Sequence, residues 1–448
     1  MKKVITYGTF DLLHHGHLNI LRRAKELGDY LIVGVTNDAF DRDRGKLNVR
    51  NNVLERVEAV RATGYADEII IENYVGQKID DIERYDVDIF AIGSDWEGQF
   101  DYLNEFCQVV YLPRTQGISS TQLREASRTD VRLGMIGAGR IATRFAQEIK
   151  HVAEVQLTGV YDTETEKARQ IASDIPGCAI CSSPQELYQQ TDAIYIATPH
   201  LSHYGYIREA LEAGKHVLCE TPMVLAEQEA KELFALAEQK KCVLMEANKT
   251  AHCPAFNHLI NIVRSGLIGE VVDVEASLSK LWKGKKLREF DVTQAGGSMY
   301  ELGSYPLLPI IKLMGTGYNE VQFFSRMEGG VDIYTKGIVH YPNAICSFKL
   351  GLGVKTEGNL IISGTKGYAY VESPWWKTDY FELRYEDQNN NKKFFYKWDG
   401  AGLRYEIQEF ISCICNQRFS TQRLRRHESI AMAAIMEQFS RKINTSEI

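Results

Sequence analysis

Short apolar runs alternate with amphipathic stretches through the first 126 residues. KVITYG (3–8) and YLIVGVT (30–36) are continuous apolar runs of the kind buried in parallel sheets. Between them HLNILRRAKELG (17–28) spaces Leu18, Ile20, Leu21, Ala24 and Leu27 as a helix does, and Gly28 reads as its stop. Runs at 69–71, 87–92 and 108–112 continue the alternation, which predicts parallel α/β architecture to about residue 126. The pattern pauses at ASRTD (126–130) and restarts at 131 with VRLGMIGAGRIA, a fresh strand–glycine–helix opening that marks a domain boundary with a short joint. Strands and helices then alternate to about 250. Beyond that, β-type stretches at 271–278, 336–350, 359–371 and 380–396, flanked by helical pieces at 254–265 and 402–416, predict an open, mostly antiparallel sheet with helices on one face. The helix beginning GLRYEIQEFI (402–411) is expected against the reverse face of that sheet. The domains expected are 1–128, 131–252 and 253–448.

The gross numbers narrow this picture. At 448 residues the chain has room for about three domains. Its 44% hydrophobic and 25% charged residues are those of a globular protein. A formal charge of −7 offers no basic surplus for nucleic acid, so phosphate binding has to be local. No apolar stretch approaches a membrane helix and the first residues lack a secretory signal, which points to the cytoplasm and no membrane partner. Nine cysteines without an export signal read as reduced thiols, and the one CxxC, Cys178–Cys181, has no second pair at zinc spacing, so no protein metal site is expected. Trp375, Trp376 and Tyr380 could stack on a sugar, but such a cluster is more often core.

Two glycine signatures carry the chemistry. In the first, GTFDLLHHGH (8–17), a strand runs into a helix whose start bears His14, Gly16 and His17. Unpaired backbone N–H groups and the helix dipole favour an anion there, and Gly16 would let the backbone turn so that both imidazoles face one ligand. This suits transfer at a nucleotide α-phosphate, which needs charge stabilisation more than a protein nucleophile. With GSDWEGQFD (93–101) and RTQGISST (114–121), the segment resembles the glycerol-3-phosphate cytidylyltransferase family. That resemblance implies a Rossmann-like domain joining CTP to a polyol phosphate with release of pyrophosphate. By position, His14 and His17 would stabilise the α-phosphate in transit, Thr9 and Phe10 would lie on the nucleotide, and Asp11 would hold the loop. Lys46 would reach the incoming phosphate or those of CTP, although DRDRGKLNVRNN around it departs from the family's wording. Arg114 with Gly117, Ile118, Ser119 and Thr121 would grip the triphosphate. Arg56, Asp95 and Trp96 match positions near the nucleotide. Mg2+ is expected because CTP binds as its metal complex.

In the second signature, Gly137, Gly139, Arg140 and Ile141 open a helix after the strand VRLGMI, and LTGVYD ends at Asp162, 23 residues past Gly139. A carboxylate there binds ribose hydroxyls and repels a 2′-phosphate, which favours NAD over NADP. IATPHLSHYGYIREALEAGKHVLCETP (196–222), IGEVVDVEA (268–276) and GGSMYELGSYPLLPI (296–310) resemble the Gfo/Idh/MocA oxidoreductases over about 131–440. The resemblance implies hydride transfer between a nicotinamide and a carbohydrate-like alcohol or ketone, with Thr198, His203 and Glu220 along the cofactor. Two departures from the pattern stand out. Thr221 stands where the family has the lysine that polarises the carbonyl, and Glu301 and Tyr305 stand for its Asp and His. Lys249, at the exit of MEANKT, is the candidate replacement acid.

Three readings follow. The oxidoreductase could interconvert a ketose phosphate and a polyol phosphate that the transferase then couples to CMP. The order could be reversed, with a CDP-linked product oxidised. Or the second lobe could keep NAD and a sugar-like ligand without turnover, as a sensor or scaffold. The resemblances also imply a homo-oligomer and a place in surface-polysaccharide assembly.

Overall fold

The computed structural model describes residues 1–13, 15–43, 49, 51–74, 76–113, 130–282, 287–396 and 398–448. The chain divides into two compact units, Met1–Thr129 and Asp130–Ile448.

In the first unit the apolar runs become a parallel sheet of β1 (Lys3–Gly8), β2 (Tyr30–Thr36), β3 (Glu68–Glu72), β4 (Ile89–Gly93) and β5 (Gln108–Leu112), in the order β3-β2-β1-β4-β5. Neighbouring residues of one strand enter opposite cores, Val4 with Leu31 and Ile89 on one face, Ile5 with Ile32 and Phe90 on the other. Burial on both faces is why these strands read as unbroken apolar runs. The helix after β1 spans His15–Lys25, and a Cβ at Gly28 would meet the Lys2 carbonyl oxygen at 2.6 Å, so only glycine lets the chain turn back there. Helix Val53–Ala62 starts at a capping box in which the Asn52 side chain accepts from the Glu55 N–H and Glu55 returns the bond to the Asn52 N–H.

In the second unit a parallel sheet of β6 (Val131–Ile136), β7 (Val155–Tyr161), β8 (Ala179–Ile180), β9 (Ala193–Ile196), β10 (His216–Glu220) and β11 (Leu244–Ala247) runs β11-β10-β9-β6-β7-β8. A nine-stranded sheet follows: β12 (Val271–Ser279), β13 (Glu320–Glu328), β14 (Val331–Tyr341), β15 (Ala344–Gly351), β16 (Leu360–Gly364), β17 (Tyr368–Val371), β18 (Tyr380–Arg384), β19 (Lys392–Phe395) and β20 (Thr445–Glu447). Its order is β19-β18-β17-β16-β12-β15-β14-β13-β20, antiparallel except for β12 with β15 and β13 with β20. Helices Pro254–Arg264, Ser304–Met314 and Arg426–Ser440 pack Phe256, Leu307 and Met432 into one core with Phe323 and Phe348 of this sheet. Trp375 is fully buried in that core and donates its indole N–H to the Ser277 carbonyl at 2.8 Å, a structural role.

One expectation is corrected. Helix Leu403–Cys415 packs not on the nine-stranded sheet but on the dinucleotide sheet, where Leu403, Ile407, Phe410 and Ile411 share a core with Phe145 and Tyr195. An ion pair of Arg404 with Glu148, 2.9 Å, ties it to the helix Arg140–Glu148. Helical periodicity shows that a face is buried but not which neighbour buries it. All nine cysteines are free, and no helix among the described residues is long and apolar enough to cross a membrane.

Candidate functional sites

In the first unit the chain leaves β1 toward β2 on one side and toward β4 on the other, so a crevice opens beyond the carboxyl ends of β1 and β4. Both described signatures exit there: residues 9–13 after β1, and the turn Ser94–Trp96 after β4. His17 lies in the first turn of the helix His15–Lys25, half-buried and edge-on to the Phe10 ring at 5.5 Å between centroids. Gly16 is already helical, so it brings no side chain into that turn rather than bending a loop. Phe10 and Leu12 have φ of 54° and 47°, a left-handed backbone rarely held by such residues without support from their surroundings.

That support is explicit. Asp11, 3% exposed, accepts the Asn51 N–H at 3.0 Å. The Thr9 hydroxyl donates to Asp41 at 2.7 Å. Arg56 donates to the carbonyls of Thr9 (2.6 Å), Thr36 (2.8 Å) and Asn51 (2.9 Å) and pairs with Asp38 (2.6 Å) and Asp41 (3.1 Å). At 1% exposure Arg56 fixes the loop whose carbonyls it binds. The Phe10 ring is 3% exposed and belongs to the core. Asp95 is exposed, and Trp96 is half-buried with its ring 5.8 Å from that of Phe100. His14, Lys46, Arg114, Gly117, Ile118, Ser119 and Thr121 lie outside the described residues.

In the second unit the corresponding crevice lies beyond β6 and β9. Gly137 has φ of 93°, and a Cβ there would fall 2.5 Å from the Ala197 carbonyl oxygen, so neither conformation nor space admits another residue. Gly139, the N-cap of helix Arg140–Glu148, has no protein atom within 4 Å of where its Cβ would stand, which leaves the helix N-terminus open to a pyrophosphate. Asp162 accepts the Ala138 N–H and the Glu164 N–H, each at 2.7 Å, and so braces the glycine loop from the end of β7. Arg140 is exposed and Ile141 packs against the core. These residues fit a dinucleotide. Thr198 accepts from the Ser202 hydroxyl at 2.8 Å. His203 is fully buried, its ring nitrogens 3.0 Å from the Pro222 carbonyl and 2.8 Å from that of Thr198, and burial pushes its pKa down to about 4. It clasps the segments that carry Thr198 and Pro222.

Beyond β10 and β11 a group of ionisable side chains gathers. Glu220 accepts the Tyr195 hydroxyl at 2.5 Å, and burial raises its pKa against that bond and the charge of Lys249. Burial lowers the pKa of Lys249 while Glu406 and Glu220 oppose the fall. Glu406, delivered by helix Leu403–Cys415, is fully buried, and neither carboxylate oxygen has a hydrogen-bond partner among the described residues. Burial and the nearby Glu220 raise its pKa well above the carboxylate range. Tyr305 is half-buried, and burial together with Glu220, Glu406 and Glu246 raises its pKa, which keeps the phenol protonated near neutrality. Thr221 donates its hydroxyl to the buried Glu246 at 2.7 Å, so it offers nothing in place of a lysine. Glu301 pairs with Arg288 at 2.8 Å and with His200 at 3.1 Å, and these partners hold its pKa down against burial. The sequence reading missed Tyr195, Glu406, Glu246, His200 and Arg288; only the acidic position in the EIQEF helix face hinted at one of them.

A phosphate-binding crevice on one doubly wound unit and a dinucleotide cradle with a buried proton-bearing cluster on the other define a nucleotidyltransferase fold joined to a nicotinamide oxidoreductase fold. Residues 5–126 match the cytidylyltransferase-like family, 131–248 the NAD-binding Rossmann domain of the Gfo/Idh/MocA oxidoreductases, and 256–370 a Gfo/Idh/MocA C-terminal domain. The chain therefore belongs to both families, as a fusion of a glycerol-3-phosphate-type cytidylyltransferase domain with a Gfo/Idh/MocA oxidoreductase. Glycerol-3-phosphate cytidylyltransferase of Bacillus spizizenii is 51% identical over 130 residues, 28% of this chain and 96% of the relative. Trans-1,2-dihydrobenzene-1,2-diol dehydrogenase of Bos taurus is 28% identical, matching 70% of this chain and 97% of the relative. Among solved structures, KijD10, a 3-ketoreductase from Actinomadura kijaniata in complex with NADP and TDP-benzene, shares the fold at a TM-score of 0.65 and 20% identity, covering 71% of this chain and 99% of that one. Levoglucosan dehydrogenase with NADH and levoglucosan does so at 0.63 and 17%, covering 69% and 96%.

Proposed function

We propose that the chain transfers CMP from CTP to a small polyol phosphate of the glycerol 3-phosphate or ribitol 5-phosphate type, and that its second lobe interconverts the matching keto and hydroxy compounds with NAD. The observation that carries the first half is the 51% identity spanning almost the whole of a glycerol-3-phosphate cytidylyltransferase. A phosphate oxygen of the acceptor attacks the α-phosphorus of CTP, the bond from that phosphorus to the β-bridging oxygen breaks, and pyrophosphate leaves. His17, in the first turn of a helix with no acidic residue in that turn, stabilises the charge that builds there together with His14. Mg2+ enters with the triphosphate. Lys46, Arg114, Asp95, Trp96 and the 117–121 segment complete the nucleotide contacts, and Thr9, Asp11 and Arg56 hold the loop in shape.

In the second lobe Gly137, Gly139, Arg140, Ile141, Thr198 and Asp162 hold the dinucleotide, and Asp162 selects NAD by repelling a 2′-phosphate. Bound NADH supplies a hydride. Lys249 gives the carbonyl oxygen its proton, with Tyr305 as second donor and Glu220 orienting the pair. We place the functional boundaries at 1–128, 131–252 and 253–448, the protein in the cytoplasm as a homo-oligomer, and its product among precursors of surface polysaccharide. A second reading, a lobe that binds NAD without turnover, draws on the engagement of Thr221 with Glu246.

The test is a mass spectrum of products from CTP, NADH and a mixed pool of ketose phosphates, with pyrophosphate release measured in parallel. A CDP-polyol dependent on NADH is expected. Pyrophosphate release retained in full by His17→Ala would remove the transferase mechanism, and tight NADH binding without oxidation across the pool would favour the sensor.

A further inference from the structure

Beyond the carboxyl end of β12 the chain keeps its place beside β15. The Lys280 N–H donates to the Gly351 carbonyl at 2.8 Å, and the Trp282 N–H to that of Leu352 at 3.3 Å. This pairing carries Trp282 out of the nine-stranded sheet to the helix that opens the dinucleotide site. The Arg140 guanidinium lies 4.8 Å from the centroid of the Trp282 ring, and the Lys280 ammonium 4.2 Å from the same centroid. Arg140 is the first residue of that helix and follows Gly139, whose Cβ position is open. It is exposed and has no ion-pair partner among the described residues.

The indole N–H of Trp282 is a second open group. Trp375 and Trp398 each donate theirs to a carbonyl, of Ser277 at 2.8 Å and of Gly400 at 3.0 Å. That of Trp282 is buried and has no partner among the described residues, although the residue as a whole is only half-buried. An indole N–H can only donate, so a buried one with no acceptor leaves the desolvation of the group uncompensated. One anion answers both observations, with an oxygen for the N–H and a charge for the guanidinium. The helix N-terminus beside them is where the pyrophosphate of a dinucleotide is favoured. A guanidinium stacked on a ring face is held in one plane, so it meets a phosphate already oriented.

We propose that Trp282 is a cofactor clasp: its indole N–H donates to a phosphate oxygen of the dinucleotide, and its ring holds the Arg140 guanidinium against the same diphosphate. This rests on the dinucleotide reading of the lobe and adds to the site a residue from outside the Rossmann sheet. The strand that leaves the nine-stranded sheet thereby grips the cofactor from the side opposite its glycine loop.

The test uses the full chain and reads binding. The NADH Kd is taken from NADH fluorescence, and those of ADP-ribose and adenosine from displacement of NADH. Trp282→Phe keeps a ring and loses the N–H. It should weaken NADH and ADP-ribose about tenfold, the worth of a hydrogen bond to a charged group, and leave adenosine unchanged. Trp282→Leu loses the ring too and should weaken both about threefold further. Unchanged NADH affinity in both variants overturns the clasp and keeps the dinucleotide site. Wild-type protein that binds neither NADH nor ADP-ribose overturns the dinucleotide reading, and the clasp with it. A loss for NADH that ADP-ribose does not share moves the contact to the nicotinamide half and overturns the phosphate assignment. A second readout needs no variant: hydroxyl-radical oxidation of the wild-type chain followed by peptide mass spectrometry. NADH and ADP-ribose should protect Trp282 and adenosine should not, with Trp398 unchanged throughout as the reference. Equal oxidation of Trp282 with and without saturating ADP-ribose sinks the clasp whatever the variants do.

Discussion

At the scale of single residues, Lys249 is held between burial and two carboxylates. Its ammonium is disfavoured by burial and favoured by Glu406 and Glu220. If it donates the proton in carbonyl reduction, kcat stays level at low pH and falls as pH rises through a pKa below the ordinary 10.5. Glu406→Gln removes a charge that favours the ammonium, so the alkaline limb should move to lower pH; an unmoved limb would show that Glu406 does not act on Lys249. Lys249→Met should lower kcat at least 100-fold with NADH affinity within threefold. In the first unit, Arg56→Met leaves the fully buried Asp41 without its guanidinium. The loss should be about 3–5 kcal/mol in denaturant titration of that unit, the usual cost of breaking a buried pair. KM for CTP should also rise in the variant molecules that stay folded, because Arg56 fixes the loop at Thr9.

At the scale of elements, helix Leu403–Cys415 is the piece that joins the C-terminal part of the chain to the dinucleotide sheet. Phe410 is fully buried in a core with Phe145 and Tyr195, whose rings stack at 3.6 Å. Tyr195 is the residue that donates to Glu220, and the same helix carries Glu406. Phe410→Ala should therefore destabilise the second unit by about 3–5 kcal/mol. It should also lower kcat for the redox step more than it raises the NADH Kd, because the helix holds the acid–base cluster rather than the cofactor loop. Equal effects on both, measured by steady-state kinetics and NADH fluorescence, would count against that division.

At the scale of the whole molecule, two compact units carry two chemistries, each with its own sheet and cores. Their active groups should be separable. His17→Ala should abolish pyrophosphate release and spare NADH oxidation, and Lys249→Met should do the reverse. Loss of both activities in either single variant, with the protein folded by circular dichroism, would show the units to be coupled. A single chain also keeps the two sites at equal number.

The strand–glycine–helix openings at residue 8 and residue 137 were legible in the sequence because everything they need is local: an apolar run, a glycine and a helix start within about a dozen residues. So was the change from α/β alternation to longer β stretches, although β13 and β20 escaped it. Other features were decided only by packing across long separations. Arg56 was matched to a nucleotide contact, yet its guanidinium is drawn into a loop by carbonyls at positions 9, 36 and 51. His203 lies in a family motif, yet its ring is spent between two backbone carbonyls. Glu406 reaches Lys249 because its helix docks on another sheet than its own neighbours in sequence would suggest. Periodicity and local motifs report which face of a segment is buried and where the backbone must bend; the partner that buries the face, and hence which charges meet in a cleft, exists only once the whole chain has closed.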